Sequence, residues 1–420
     1  MLRPPQAALG LLLALPLILV LGWIALHRDD APPDDRDLQV ELPGAAADAN
    51  GFEWFTAAAD AARLPNDEAT WQRFHAFRSG QIWDTDWILA LVADNAAATS
   101  LLRAGVASPA FAFPGKALPR VGDARMRTLF RGQQLVALSG AQSWIALRDG
   151  RDGEALELAS LGLSAGRRLS AADNVDLFGI HMASAFQTLS LIDLERAARA
   201  SRVAPEASRR IAALLEASRW NASDWQRVWA LEYARVRAEL FALDPALAGW
   251  PSPFLPHTYR WHPNRTAGAL ADLYREQARK SSRFCADAGL RRDDEASEPP
   301  AASAFAPNAL GQLVIEQVRA RNYDRIQRTR CQFETQVSLV EVMIAAKAYS
   351  DSESALPERL EDLVPRYLDA LPVDRYDGAP LRYARAAQAV YSIGDDHSDV
   401  SSGAARGLFD RFEPGLSLAF

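Results

Sequence analysis

The chain has 420 residues, 49% of them hydrophobic and 24% charged, and its 53 acidic residues outnumber 46 Lys and Arg for a net charge of -7. Such a balance fits two or three globular domains rather than a disordered chain, and argues against the broad basic face that nucleic acid requires. Two cysteines, Cys285 and Cys331, supply neither a disulfide-dense scaffold nor a cysteine zinc site, and the six histidines hold no HExxH pair.

The N-terminus sets the expected compartment. Ala7 to Leu26 runs for twenty residues without a charge, enough at 1.5 Å per residue to cross about 30 Å of hydrocarbon. Pro16 lies inside it, which membrane helices tolerate better than soluble ones. Arg3 precedes the run, while Asp29, Asp30, Asp34 and Asp35 follow it. The positive-inside rule then predicts a single-pass anchor over 1–28, with the N-terminus cytoplasmic and everything after Arg28 outside. A cleaved signal peptide competes. Against it, Trp23-Ile24-Ala25 is a poor small-x-small site and Val20-Leu21-Gly22 only passable. No lipobox cysteine follows.

Residues 29–48, acidic and with three prolines, read as an extended tether. Residues 49–248 read as an all-α domain, with breaks at Pro65-Asn66-Asp67, Asp94-Asn95, Pro114-Gly115, Asp149-Gly150 and Asp173-Asn174. Around Arg148-Asp149-Gly150-Arg151-Asp152-Gly153-Glu154-Ala155-Leu156 one helix meets a small-residue turn and a second begins. This stretch resembles the turn of tetratricopeptide hairpins. Three clean copies at a 34-residue period are not found, so the region reads as a degenerate helical-hairpin array. Ser223, with Gln226 three residues on, reads as a capping box opening the next helix. Trp225, Val228, Trp229, Val236 and Leu240 give that helix its apolar face, and Glu232 shares it. Two readings of Glu232 stand side by side, a carboxylate with a raised pKa and one paired with an arginine.

Residues 249–309 read as an irregular connector holding a helix over Thr266–Ser281 and a polar insertion at Arg291–Pro307. Cys285 and Cys331 flank the insertion. On an oxidising side of the membrane they can pair; the other reading is two separate buried thiols.

Three motifs invite chemical readings. Gly162-Leu163-Ser164-Ala165-Gly166 matches the GxSxG of hydrolase elbows, but Glu154–Leu161 before it reads as helix, where an elbow needs a strand. His181 lies among apolar residues and reads as a core histidine, and His257 and His262 stand at no usual ligand spacing. Asp395, Asp396 and Asp399 offer three hard oxygen ligands within five residues, the chemistry calcium prefers, and the competing reading is a solvated acidic turn.

The last segment, 310–420, opens on a long helix from about Leu310 to Tyr349 with one interruption, then a short helix over Glu358–Val364 and two strand-like pieces, Leu381–Tyr383 and Val390–Ile393. Leu356-Pro357, Leu360, Leu363-Val364, Leu371-Pro372, Asp374, Gly378, Pro380, Tyr383 and Tyr391-Ser392-Ile393-Gly394-Asp395 stand in an order that resembles the globular head of type II secretion major pseudopilins. The resemblance implies a small α+β head, with calcium in the loop of Asp395, Asp396 and Asp399. It departs from the family where Asp396-His397 replaces the usual glycine, and the membrane segment lies roughly 300 residues upstream, without a Gly-Phe processing site. The head is therefore not expected to be processed or polymerised as a pilin. The whole layout resembles bacterial membrane-anchored proteins in which an α-helical region precedes such a head. The expectation is a mainly α protein with an anchor, a helical-hairpin array and a pseudopilin-like α+β module, serving as a periplasmic interaction or scaffold protein with envelope partners. The alternative is a periplasmic hydrolase using Ser164 or a Glu232-centred pocket, or a small-ligand binder using a polar pocket around Glu232 and His181.

Overall fold

Short polar side chains at the breaks in the sequence become helix caps. Asn50, Asp67, Asp84 and Asp176 each accept a backbone N–H from the first turn of the helix that follows, satisfying a donor the helix cannot. The computed structural model of the chain describes residues 16, 18–23, 25, 27–40, 50–65, 67–113, 124–248, 257–290, 306–321, 323–397, 407–410 and 414–420. Over these the protein is mainly helical, with one small three-stranded antiparallel sheet.

In chain order the helices are α1 (Gly51–Ala61), α2 (Glu68–Arg78), α3 (Thr85–Asp94), α4 (Ala96–Ala107), α5 (Ala124–Arg148), α6 (Asp152–Ser170), α7 (Leu177–Ala200), α8 (Pro205–Ser218), α9 (Ala222–Ala248), α10 (His257–Arg260), α11 (Pro263–Ser281), α12 (Ala309–Arg319) and α13 (Tyr323–Glu353). Strands β1 (Arg382–Ala384), β2 (Ala389–Tyr391) and β3 (Gly415–Ser417) follow, with Tyr383 opposite Val390 and Val390 opposite Leu416. The one interruption expected in the long C-terminal helix falls between Arg319 and Tyr323. The short helix expected over Glu358–Val364 is a 3-10 turn, Leu360–Leu363.

The chain forms two compact units that cut across the segments read from the sequence. One is built from Met1–Val40, Trp229–Arg279 and Arg291–Tyr323; the other from Glu41–Val228, Lys280–Leu290 and Asp324–Phe420. Most of the helical array and the C-terminal head thus fall in a single unit.

In that larger unit α5, α6 and α7 pack as successive antiparallel helices. Asp149-Gly150 turns the α5–α6 hairpin, with Gly150 at φ 72°, and Ala146 and Ala155 are fully buried where the two backbones meet. Arg78 of α2 and Asp193 of α7, both buried, pair at 2.8 Å, and desolvation pushes the Asp193 carboxyl upward against the pull of Arg78. From Phe333 to Ala348 every residue of α13 is buried, as for a helix enclosed on all sides. Its charged members are paired: Glu341 with Arg219, Glu334 with Arg375, and Lys347 with Asp351. Asp374 ties the head together, accepting from Tyr376 N, Ser392 Oγ, Ile393 N and Arg382 Nη1 from a fully buried position.

The smaller unit centres on Trp229, Tyr233, Tyr274 and Tyr323, whose rings pack edge-on or tilted. The two hydroxyls of Tyr274 and Tyr323 bond at 2.7 Å. Here the expected tether needs correction over 29–40. Asp29 accepts from Asn264 N and Arg265 N, capping α11, and Asp30 takes Arg265 through two bonds. Asp35, only 5% exposed, accepts from Tyr233 and pairs with Arg237, and Asp37 pairs with Arg275. Charges that looked like solvating spacers are met by cations or, at Asp29, by helix N–H groups of the same unit.

Candidate functional site

Three elements of the larger unit meet around a cavity of about 250 Å³. Leu177, Phe178, Ile180, His181 and Ser184 come from the first two turns of α7, where three- and four-residue steps put them on one side. Trp220 and Trp225 flank the start of α9, and Ile326, Thr329 and Arg330 come from α13. Trp220 stacks on Phe333 at 5.3 Å and meets Trp225 edge-on at 5.2 Å, so this wall is held by aromatic packing. His181 and Thr329 are exposed, whereas Trp220, Trp225 and Arg330 are buried.

The unusual member is Arg330, with 0% of its surface exposed. Its Nη2 donates to the Arg283 carbonyl at 3.3 Å and lies 3.8 Å from the Cys331 sulfur, while Nε and Nη1 make no hydrogen bond. The Glu334 carboxylate stands 3.6 Å from Nη1 but gives its other oxygen to Arg375 at 2.5 Å. Burial lowers the Arg330 pKa, opposed by Glu334 and reinforced by Arg375. The indole Nε1 of buried Trp220 is likewise without a partner. An unsatisfied buried donor costs about 1–3 kcal/mol, more when charged, so the cavity presents unmet demand for an acceptor.

The residues singled out from sequence are dispersed. Ser164 lies inside α6, half-buried, with no strand before it. The glycines of its GxSxG serve packing instead: a Cβ on Gly162 would sit 2.5 Å from the Phe186 carbonyl, and one on Gly166 2.6 Å from that of Ala183. They let α6 approach α7 closely, which is the physical reason for the motif. His181 is not a core histidine but an exposed residue at the cavity mouth, because α7 turns Ile180, Met182, Ala183 and Phe186 inward. Glu232, in the smaller unit, is buried and paired with Arg235 at 2.5 Å and Arg321 at 3.3 Å, and accepts from Tyr323 at 3.2 Å. His181 belongs to the larger unit. The capping residue of α9 is Asn221, whose side chain accepts from Asp224 N while Asp224 accepts from Asn221 N, in place of the expected Ser223 and Gln226. Cys285 and Cys331 form a disulfide with Cα atoms 6.2 Å apart.

Asp395 and Asp396 lie in a turn between Gly394 and His397, both at positive φ, and Asp399 lies outside the described residues. Among the described residues no group of three or more His, Cys, Asp or Glu is placed to hold a metal ion. Neither Arg330 nor Trp220 was marked by sequence reasoning. The available signal was the i, i+4 pair Ile326–Arg330 on a helix that is otherwise turning apolar, and such a pair reads equally well as a solvated face.

The chain matches no protein-family model, no curated protein and no solved structure.

Proposed function

We propose that the chain is a single-pass membrane protein, with its N-terminus cytoplasmic, that holds a helical interaction platform and a pseudopilin-like head in the periplasm of a bacterial cell. The observation that carries the reading is the uncharged run from Ala7 to Leu26. Its described positions between Pro16 and His27 are helical, and Ile18, Leu19, Val20, Leu21 and Trp23 are 53–64% exposed, an apolar surface that hydrocarbon would cover. Leu177–Ala200 also has the length and apolarity of a span, but 61% of its apolar window is buried within the fold, so core packing accounts for it. The Cys285–Cys331 pair fits an oxidising compartment. The head reading draws support from α13 leading through Leu360–Leu363 and the Asp374 turn into a small antiparallel sheet. The test is alkaline carbonate extraction followed by protease treatment of spheroplasts. The chain is expected to stay in the pellet and its bulk to be digested from outside; release by carbonate, or a bulk protected in intact spheroplasts, overturns the reading.

A second reading, a small-ligand binder, is favoured by one observation, the cavity at Arg330 with its unpartnered donors. The two readings are compatible, since an anchored platform can carry a ligand site.

A further inference from the structure

Resting on the second reading, we propose that the cavity walled by α7, the start of α9 and α13 binds a small monocarboxylate with an apolar or aromatic body, its carboxylate held by Arg330. The polarity of the inner wall argues for an anion. Its buried polar atoms without partners, Arg330 Nε and Nη1 and Trp220 Nε1, are all donors. The charge count argues for a single one. Arg330 and Arg375 face one carboxylate, Glu334, and Glu334 is drawn to Arg375 at 2.5 Å, which leaves one positive charge unmatched. A monoanion balances that charge. A dianion such as phosphate would leave an uncompensated negative charge beside Glu334 in a dehydrated site, which burial penalises.

The remaining wall decides the rest of the ligand. Leu177, Phe178, Ile180, Trp220, Trp225 and Ile326 offer rings and methyl groups, and a water among them finds few partners. At about 30 Å³ of liquid volume per water the cavity has room for roughly eight waters, which matches a ligand of about eight to ten non-hydrogen atoms. Displacing loosely held water by an apolar group adds to affinity. Exposed His181 and Thr329 mark the mouth, so the carboxylate enters first and reaches the buried guanidinium, with the apolar body following.

The experiment is calorimetric titration of the full chain in detergent with benzoate, phenylacetate and the neutral isostere benzamide. At least one carboxylate is expected to bind, with benzamide at least tenfold weaker. Thr329→Trp, at an exposed position, is expected to fill the mouth and weaken carboxylate binding at least tenfold without moving the melting temperature. Arg330→Gln, where circular dichroism shows it folded, is expected to erase the preference for benzoate over benzamide; where it does not fold, the isostere comparison and Thr329→Trp carry the test. Equal binding of benzamide and benzoate to the unaltered chain overturns the anion assignment and leaves the cavity a binding site. No heat from any of the three, or binding indifferent to Thr329→Trp, overturns the cavity reading itself. Neither result bears on membrane location.

Discussion

Glu341 shows what one buried carboxylate does in a stretch of helix that has no exposed side. It lies on α13 with 8% of its surface exposed, and its partner Arg219, at 3.1 Å, is shared with Glu216 at 2.6 Å. Desolvation raises its pKa from 4.5 to about 7; Arg219 opposes the rise and Glu216 adds to it. Because the folded state then binds more protons than the unfolded one between about pH 4.5 and 7, stability is full below that window and falls as pH rises through it. At 1.36 kcal/mol per unit the fall is at most about 3 kcal/mol. Glu341→Gln, uncharged at every pH, is expected to flatten the curve and to be the more stable protein at pH 8. Thermal melts of both proteins from pH 4 to 8 check this, and parallel curves would count against it. At this scale the sequence was partly legible. The pairing of Glu232 with arginine was one of two open readings because arginine is abundant, but nothing in a list of residues says that Arg219 must serve two carboxylates, since that depends on which helices meet.

At the scale of elements, α6 lies close on α7, and glycine permits it. A Cβ at Gly162 would stand 2.5 Å from the Phe186 carbonyl and 2.6 Å from Ser190 Oγ and Val136 Cγ1; one at Gly166 would stand 2.5 Å from Gln187 Cγ. Alanine favours a helix over glycine by up to about 1 kcal/mol, but overpacking costs about 1–3 kcal/mol, and backbone atoms cannot swing aside. Gly162→Ala and Gly166→Ala are therefore expected to destabilise by about 1–2 kcal/mol. Gly153→Ala, near the start of the same helix with nothing within 4 Å of its Cβ, is expected to be neutral or stabilising. Denaturant midpoints for the three variants test the contrast, and a common sign for all of them would refute it. Ser164→Ala, between the two packing glycines, is expected to change stability little. The helices themselves were readable from breaker residues and apolar spacing, as at Pro65-Asn66-Asp67 and the Asp149-Gly150 turn. Strand β3 was not, because Gly415-Leu416-Ser417 has no alternation of its own and becomes a strand only by pairing with β2.

At the scale of the whole molecule, long-range pairings decide what the segment list could not. The acidic stretch after the N-terminal apolar run read as a spacer because nothing in sequence ties Asp29 to α11 or Asp35 to Tyr233, partners 235 and 198 residues away. The disulfide has the same character. Cys285 and Cys331, 46 residues apart, both belong to the larger unit, while Arg291–Tyr323 between them belongs to the smaller one. The bond therefore closes the loop by which the chain leaves one unit and returns. Closing a loop of that length removes unfolded-state entropy equivalent to about 4 kcal/mol. Both sulfurs sit in a core with Tyr376 and Ile393, where a reduced cysteine still packs as a small apolar group, so the effect of reduction is expected to act mainly through the unfolded chain. Unreduced protein is expected to show no thiol reactive to a maleimide after denaturation, and two once reduced. Dithiothreitol, or Cys285→Ser with Cys331→Ser, is expected to lower the denaturant midpoint of the larger unit by an amount corresponding to about 4 kcal/mol. Two free thiols in denatured, unreduced protein would remove the bond, and an unchanged midpoint on reduction would remove its role. A fall in stability with native spectroscopic signatures retained below the transition is the outcome that a constraint on the unfolded chain requires.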